Sequence, residues 1–259
     1  MRQDLAKKIP TARHLSRREM LGYMSATAAA VLVGCERRQN DFTNATSVSP
    51  QTGAKTGSRD IPSCVVRPEQ TEGPYFVDER LNRSDIRSDP SVDSVKDGIP
   101  LQLLIRVSQI SGSGCTSLAG AVVDLWQCDA LGVYSDVRDR SFDTNGKKFL
   151  RGYQVTDNNG SAEFITIYPG WYPGRTVHIH FKIRTAASRR AYEFTSQLYF
   201  EESITDEVYL QAPYVSRGRR TTLNTMDGIF RRGGQQLILQ VVRQAQGYAG
   251  AFDIGLQIA

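Results

Sequence analysis

Residues 150–183 read LRGYQVTDNNGSAEFITIYPGWYPGRTVHIHFKI, and this stretch decides the fold class. Two strand-like runs, 150–156 and 162–167, flank the sequence DNNG at 157–160, which is typical of a tight hairpin turn. A loop rich in proline and glycine then leads into a third strand-like run over 176–183. The stretch therefore predicts consecutive β-strands with no helix between them.

The same pattern of short apolar runs and turn residues continues on both sides. Further strands are predicted over 101–107, 121–127, 193–200, 236–243 and 252–258. One short helix is predicted over about 203–210, with Ser203 as its N-cap. Many short strands without alternating helices predict an all-β fold, an antiparallel β-sandwich with long loops and one short helix.

The first 34 residues have the features of a twin-arginine, lipoprotein-type signal peptide. An Arg-Arg pair at 17–18 precedes an apolar run over 24–33, which is too short and too rich in alanine to span a membrane. The run ends in LVGC at 32–35, which resembles a lipobox. We expect export, lipidation at Cys35 and a membrane-anchored protein of the cell envelope or periplasm. The alternative is a buried N-terminal helix.

The rest of the chain divides into a tether and one domain. Residues 35–60 are polar and predict a flexible tether, so the folded catalytic domain is expected over 61–259. The leader carries six Lys or Arg and two Asp or Glu, so the formal net charge falls from +5 to +1 without it. No nucleic-acid partner is expected. Basic clusters at 217–220 and 231–232 are solvated charge by default, although either can attract an anionic substrate.

The cysteines favour one disulfide and disfavour a cysteine zinc site. If Cys35 is lipidated, Cys64, Cys115 and Cys128 remain, which allow three pairings with one thiol left over. The sequence does not choose among these pairings. No C-x-x-C motif occurs, as a cysteine zinc site would require.

His178-Ile179-His180 holds the only histidines outside the leader, where His14 lies. Residues two apart on a strand point to the same face, so both imidazoles can meet one metal ion. Cupin-type iron sites add a glutamate three to five residues later, whereas FKIRT at 181–185 contains no carboxylate. Tyr172 lies six residues before His178, and a phenolate is a hard, anionic donor that favours ferric iron.

Three stretches carry a resemblance to a known family. They are AGAVVDLWQCDALGVYS at 119–135, YPGWYPGRTVHIHF at 168–181 and TSQLYF at 195–200. They resemble the intradiol ring-cleavage dioxygenases, the family of catechol and protocatechuate 3,4-dioxygenases, and look most like its exported single-domain bacterial branch. The resemblance runs from CVVRPEQTEGPY at 64–75 to the C-terminus. Its motifs are G-x-Y, P-G-W-Y, R-x-x-H-x-H and Q-x-Y-F.

The resemblance implies a non-haem Fe(III) site and a role for each motif residue. The four implied metal ligands are Tyr134, Tyr172, His178 and His180. Tyr172 would be the axial phenolate, opposite His180, that leaves and takes a proton when substrate binds. Arg175 would stabilise negative charge on the ring during oxygen attack, and Gln197 would lie near the histidines. Trp126 is expected beside the site, and Tyr75 is a candidate residue of the substrate pocket.

The implied reaction cleaves a catechol-type ring between its two hydroxylated carbons with O2 and gives a muconate-type diacid. One alternative is a non-catalytic β-sandwich binding module of the transthyretin or carboxypeptidase-regulatory type. Another is a zinc hydrolase, which would show no visible absorption band. The sequence leaves open which catechol is the substrate and the oligomeric state. An arginine that binds a carboxylate would favour protocatechuate, but the sequence does not identify such an arginine.

Overall fold

The computed structural model describes residues 65–112, 114–185 and 192–258. The predicted leader, the tether and the lipidation site Cys35 lie outside the described residues. Within them, eleven strands and one α-helix follow in chain order: β1 Ser88–Asp89, β2 Ser94–Val95, β3 Pro100–Ser111, β4 Gly114–Ser117, β5 Val122–Trp126, β6 Arg151–Val155, β7 Ser161–Ile167, β8 His178–Thr185, β9 Tyr192–Tyr199, α1 Glu202–Tyr209, β10 Val241–Gln244 and β11 Gly247–Leu256. No helix of the described residues is long and apolar enough to cross a membrane.

Two large sheets pack around one core. The first has the order β6-β5-β8-β9, and the second joins β10, β11, β3 and β4, with β7 also paired to β3. Alternate side chains of both sheets point inward, as Phe181 of β8 and Phe252 of β11 show by ring centroids 5.7 Å apart. Both belong to a single buried apolar cluster. The predicted all-β sandwich is therefore confirmed.

One pairing departs from the predicted antiparallel arrangement. β11 lies parallel to β3, with Tyr248 opposite Leu101 and Leu256 opposite Gln109. The chain reaches β11 through an antiparallel hairpin with β10, and β11 lies between β10 and β3 in the sheet. The predicted strand over 236–243 is wrong at its start, because Gly234–Leu237 forms a 3-10 helix. The apolar side chains that suggested a strand are buried there, but before β10 the segment joins a sheet, within the described residues, only through an isolated bridge between Ile238 and Tyr199.

The turn at 157–160 forms as predicted, but it does not close a paired hairpin. The Asp157 carboxylate accepts hydrogen bonds from the backbone amides of Asn159 and Ser161, both at 2.8 Å. β6 before the turn pairs with β5, whereas β7 after it pairs with β3 in the other sheet. The Val107 amide donates to the Gly160 carbonyl at 2.8 Å, which fixes the turn against β3. The turn therefore connects the two sheets.

Two further predictions are refined by the structure. The helix spans Glu202–Tyr209, and its N-cap is Glu201 rather than Ser203. Cys115 is disulfide-bonded, and Cys128 is a buried free thiol. Pairings that use Cys128 are therefore excluded, and the partner of Cys115 lies outside the described residues.

Candidate active site

A row of three side chains across the four-stranded sheet forms the floor of the candidate site. Trp126 on β5 lies opposite His180 on β8, which lies opposite Gln197 on β9. In the next row His178 lies opposite Tyr199. The residues between the histidines and after them, Ile179 and Phe181, point into the core instead. Strand alternation therefore places the two imidazoles together on the outer face of the sheet.

The N-terminal segment of the described chain covers this face. The Gln197 amide donates to the Thr71 carbonyl at 2.8 Å. Lys182 of β8 forms an ion pair with Glu72 of the same segment. This cover explains why β8 is buried on both faces, although only one face belongs to the sandwich core.

The two imidazoles face each other through their Nε2 atoms. His178 Nδ1 lies 2.6 Å from the Thr176 carbonyl oxygen. A carbonyl only accepts, so Nδ1 carries the proton and Nε2 keeps a lone pair. That Nε2 is 3.0 Å from Nε2 of His180. The pair therefore presents nitrogen donors to one point.

The two predicted tyrosine ligands complete this cluster. The Tyr172 oxygen lies 3.2 Å from His178 Nε2. The rings of Tyr134 and Tyr172 are 5.8 Å apart, and the buried Tyr134 oxygen has no hydrogen-bond partner among the described residues. Nor do three or more His, Cys, Asp or Glu of the described residues group closely enough to hold a metal ion. Beside the two histidines, the phenol oxygens of Tyr134 and Tyr172 are candidate further protein ligands.

Two glycines allow the loops that carry the tyrosines to touch. A Cβ on Gly132, two residues before Tyr134, would lie 2.2 Å from the carbonyl oxygen of Trp171. A Cβ on Gly170 would lie 2.5 Å from the carbonyl oxygen of Asp129. The Gly170 amide also donates to that Asp129 carbonyl at 3.1 Å. The glycines of G-x-Y and P-G-W-Y therefore hold the two phenols side by side.

Burial keeps all four groups neutral in the protein without a cation. Burial, and then the positive charge of Arg175, lowers the pKa of His178 to about 3. Burial, and then the neighbouring His178, lowers the pKa of His180 well below its usual range. Burial raises the pKa values of Tyr134 and Tyr172 above the ordinary phenol value. The site therefore offers imidazole lone pairs at neutral pH, and a cation would have to displace the phenol protons.

Arg175 is held at the edge of the cluster by two partners. Its Nη2 donates to Gln197 Oε1 at 2.5 Å, and its Nε donates to Asp227 Oδ2 at 2.8 Å. Its Nη1 lies 3.5 Å from His178 Nε2. The structure thus places Arg175 and Gln197 together beside the histidines.

Asp227 is a site residue that the sequence did not predict. It is almost fully buried, and it also accepts a hydrogen bond from the Thr176 amide at 2.8 Å. Burial alone would raise the pKa of Asp227, but the Thr176 amide and the charge of Arg175 hold it below its usual value. Asp227 therefore remains an anion that orients the guanidinium. It lies 52 residues after Arg175 in a loop without a motif.

Arg151 is a second residue that the sequence did not single out. It is 2% exposed, and its Nη2 donates to the Ser135 carbonyl at 2.6 Å. Its Nη1 has no hydrogen-bond partner among the described residues, and burial lowers the pKa of this guanidinium to about 10. Arg151 thereby fixes the backbone next to Tyr134.

The predicted pocket residues lie against the cluster. Trp126 stacks on the His180 ring at 5.0 Å with an interplanar angle of 9°. The Tyr75 ring lies 4.6 Å from that of Tyr134, and its hydroxyl donates to Asp139 at 2.8 Å. A cavity of about 290 Å³ opens beside them, lined in part by Tyr75, Tyr134 and Tyr172. The cavity is therefore a candidate substrate pocket that adjoins the two phenols.

Comparison with known proteins gives consistent results. A family model described as Dioxygenase (Dioxygenase_C) matches residues 71–256, which is more than half of the chain. The chain is similar to an intradiol ring-cleavage dioxygenase from Tetranychus urticae, with 32% identity and a TM-score of 0.63 over 75% of this chain and 94% of that one. It is also similar to the dioxygenase domain of a carbohydrate-binding fusion protein from Streptomyces sp. SirexAA-E, with 31% identity and a TM-score of 0.52 over 75% of this chain and all of that one.

Two curated relatives match over shorter stretches. A chlorocatechol 1,2-dioxygenase from Pseudomonas putida is 29% identical over 149 residues, 50% of this chain and 52% of that protein. A protocatechuate 3,4-dioxygenase beta chain from Burkholderia cepacia is 28% identical over 154 residues, 54% of this chain and 63% of that protein. The chain thus spans about half to two thirds of these relatives.

Proposed function

Since the chain belongs to the intradiol ring-cleavage dioxygenase family, we propose that it is a non-haem Fe(III) enzyme. It would cleave a catechol-type ring between the two hydroxylated carbons with O2 and give a muconate-type diacid. The observation that carries the proposal is the convergence of two imidazole nitrogens and two phenol oxygens in one buried cluster.

The donor set fits ferric iron. Two phenolates and two neutral imidazoles supply two negative charges, and a bound hydroxide would supply the third. Hard anionic oxygen donors favour Fe(III), and neutralising its charge matters because all four side chains are mostly removed from water. The unpartnered Tyr134 oxygen and the facing Nε2 atoms are explained if a cation lies between them. Tyr134, Tyr172, His178 and His180 would hold it.

Held by these four side chains, Fe(III) would supply Lewis-acid activation of a catechol-type ring toward O2. The protein residues have separate tasks. The Tyr172 oxygen, once deprotonated, can accept a proton from a substrate hydroxyl, because this side chain lines the cavity. Arg175 places a fixed positive charge beside the position where the ring becomes anionic. Asp227 and Gln197 hold that guanidinium, so little reorganisation is needed during the reaction.

Tyr172→Phe tests the proposal by removing one donor oxygen and keeping the ring. We expect iron-loaded wild-type protein to show broad visible absorption from phenolate-to-Fe(III) charge transfer. The variant should show a shifted, weaker band and lose roughly 10²-fold in ring cleavage, the size of a general-base contribution. Absorption spectra, an oxygen electrode and product identification measure these effects.

Tyr168→Phe is the matched control for this experiment. Tyr168 is fully buried, and its hydroxyl pairs with Thr205 at 2.7 Å, away from the cavity. This variant should keep the visible band. A colourless iron-loaded wild-type protein, or a semialdehyde product of extradiol cleavage, would contradict the proposed function.

We also propose that the protein is exported and anchored by a lipid at Cys35. The support is the order of the Arg-Arg pair, the apolar run and the small residues before Cys35. Cys35→Ala should move the protein from the membrane fraction to the soluble fraction of the envelope. Unchanged fractionation would contradict the anchor and leave the enzyme assignment untouched.

A further inference from the structure

The candidate substrate cavity contains one arginine. Beyond the tyrosines, its lining combines apolar side chains such as Val133 and Phe142 with polar ones, and the charged groups are Asp139 and Arg217. Arg217 ends the 3-10 helix Tyr214–Arg217, which approaches the site from the segment after α1. It belongs to the basic cluster at 217–220, which the sequence left as either solvated charge or an attraction for an anionic substrate.

The guanidinium of Arg217 lies where the two tyrosine loops meet. Its central carbon is 5.2 Å above the Trp171 ring, and Trp171 directly precedes Tyr172. Its Nη2 lies 3.5 Å from the position that a Cβ on Gly132 would occupy, two residues before Tyr134. These contacts place a positive charge at the wall of the cavity, next to the loops that carry Tyr134 and Tyr172.

The charge of Arg217 has no anionic partner among the described residues. The contrast is Arg220, three residues later, which forms ion pairs with Glu202 and Asp206. Arg220 therefore has a structural role, whereas the exposed Arg217 keeps its donors available to solvent or a ligand.

Asp139, the opposite charge in the cavity, is already hydrogen-bonded. One carboxylate oxygen accepts from the Tyr75 hydroxyl at 2.8 Å. The other accepts from the Ser141 amide at 3.1 Å and the Ser141 hydroxyl at 3.0 Å. These donors hold the pKa of Asp139 below its usual value. Of the two charges, Arg217 is the one with unsatisfied hydrogen-bonding capacity toward a ligand.

We infer that Arg217 determines substrate specificity by binding an anionic substituent, a carboxylate above all, of a catechol whose hydroxyls lie at Tyr134 and Tyr172. The inference rests on the proposed function and names the substrate class for that site. A guanidinium can bind a carboxylate through two parallel hydrogen bonds, which fixes the ring orientation as well as adding affinity. Since Arg217 is exposed, the gain is moderate and falls as ionic strength rises.

The test compares 3,4-dihydroxybenzoate with its neutral isostere 3,4-dihydroxybenzamide. We expect wild-type kcat/KM to favour the carboxylate by about fivefold, and Arg217→Gln to bring the ratio close to one. Calorimetric titration under anaerobic conditions should show the same change in the ratio of the two Kd values. Arg219→Gln is the matched control, because Arg219 is an exposed arginine of the same loop that does not line the cavity. It should leave both ratios at the wild-type value.

The outcomes separate the two proposals. If wild-type protein cleaves neither compound nor any other catechol, the proposed function fails. If both compounds are cleaved and Arg217→Gln leaves the two ratios unchanged, only the role of Arg217 is overturned. A preference of the wild-type enzyme for the cationic catechol dopamine would also overturn it, and would assign the recognition to Asp139.

Discussion

His180→Ala is expected to abolish iron binding and ring cleavage. The substitution removes one of two nitrogen donors that converge at 3.0 Å. A bound metal stabilises transition-state charge by several kcal/mol, so its loss should lower kcat/KM by on the order of 10³-fold or more. The imidazole also stacks on Trp126 in a buried position, so its truncation leaves a cavity that should cost about 2 kcal/mol of unfolding free energy.

His180→Phe separates the two effects of that change. A phenyl ring retains the stacking on Trp126 but offers no donor atom, so this variant should unfold close to the wild-type temperature and still bind no iron. Iron stoichiometry, thermal unfolding and kcat/KM check both variants. A His180→Ala protein that retains stoichiometric iron and wild-type turnover would show that His180 is not a ligand.

Gly132→Ala is expected to disrupt the site through the backbone. The new methyl group would lie 2.2 Å from the Trp171 carbonyl oxygen, and Gly132 has a φ of +82°. The positive φ costs about 1 kcal/mol, and forced separation of the loops should add roughly 2 kcal/mol. Because both tyrosines lie on these loops, we expect loss of the iron charge-transfer band together with a drop in stability.

Gly120→Ala is the matched control for the steric part of this prediction. Gly120 has a nearly equal φ of +78°, but a Cβ there would meet no atom within 4 Å. Only the conformational cost of about 1 kcal/mol should remain, and the visible band should be unchanged. Urea unfolding and absorption spectra measure both effects. Equal destabilisation by the two substitutions would contradict the role assigned to the contact between the loops.

The sequence predicted most strands, because apolar alternation and turn residues are local signals. It did not predict the parallel pairing of β11 with β3, which depends on the path of the chain over distant residues. It also interpreted DNNG at 157–160 as a hairpin, because a tight turn looks the same whether the next strand joins the same sheet or the other one.

The predicted site residues came from short motifs, and the structure brings them together. The site residues that lie outside these motifs are far along the chain from the residues that they contact. Asp227 holds Arg175 across 52 positions, and nothing in its neighbourhood distinguishes it from a surface aspartate. Arg217 and Arg220 belong to the same basic cluster in the sequence. Only the fold shows that Arg217 lines the cavity, whereas Arg220 is ion-paired. Such roles depend on tertiary contacts and leave no local pattern.

The alternation of side chains along β8 links the packing of the core to the positions of the site residues. Ile179 and Phe181 anchor the strand between the sheets, and the same anchoring fixes which side chains appear on the other side. If β8 shifted its register by one residue, the two histidines would point into the core and apolar side chains would take their place on the site face. A register error would therefore weaken the core packing and also remove the two imidazoles from the site face, so the packing that favours the native register also favours the native position of both histidines.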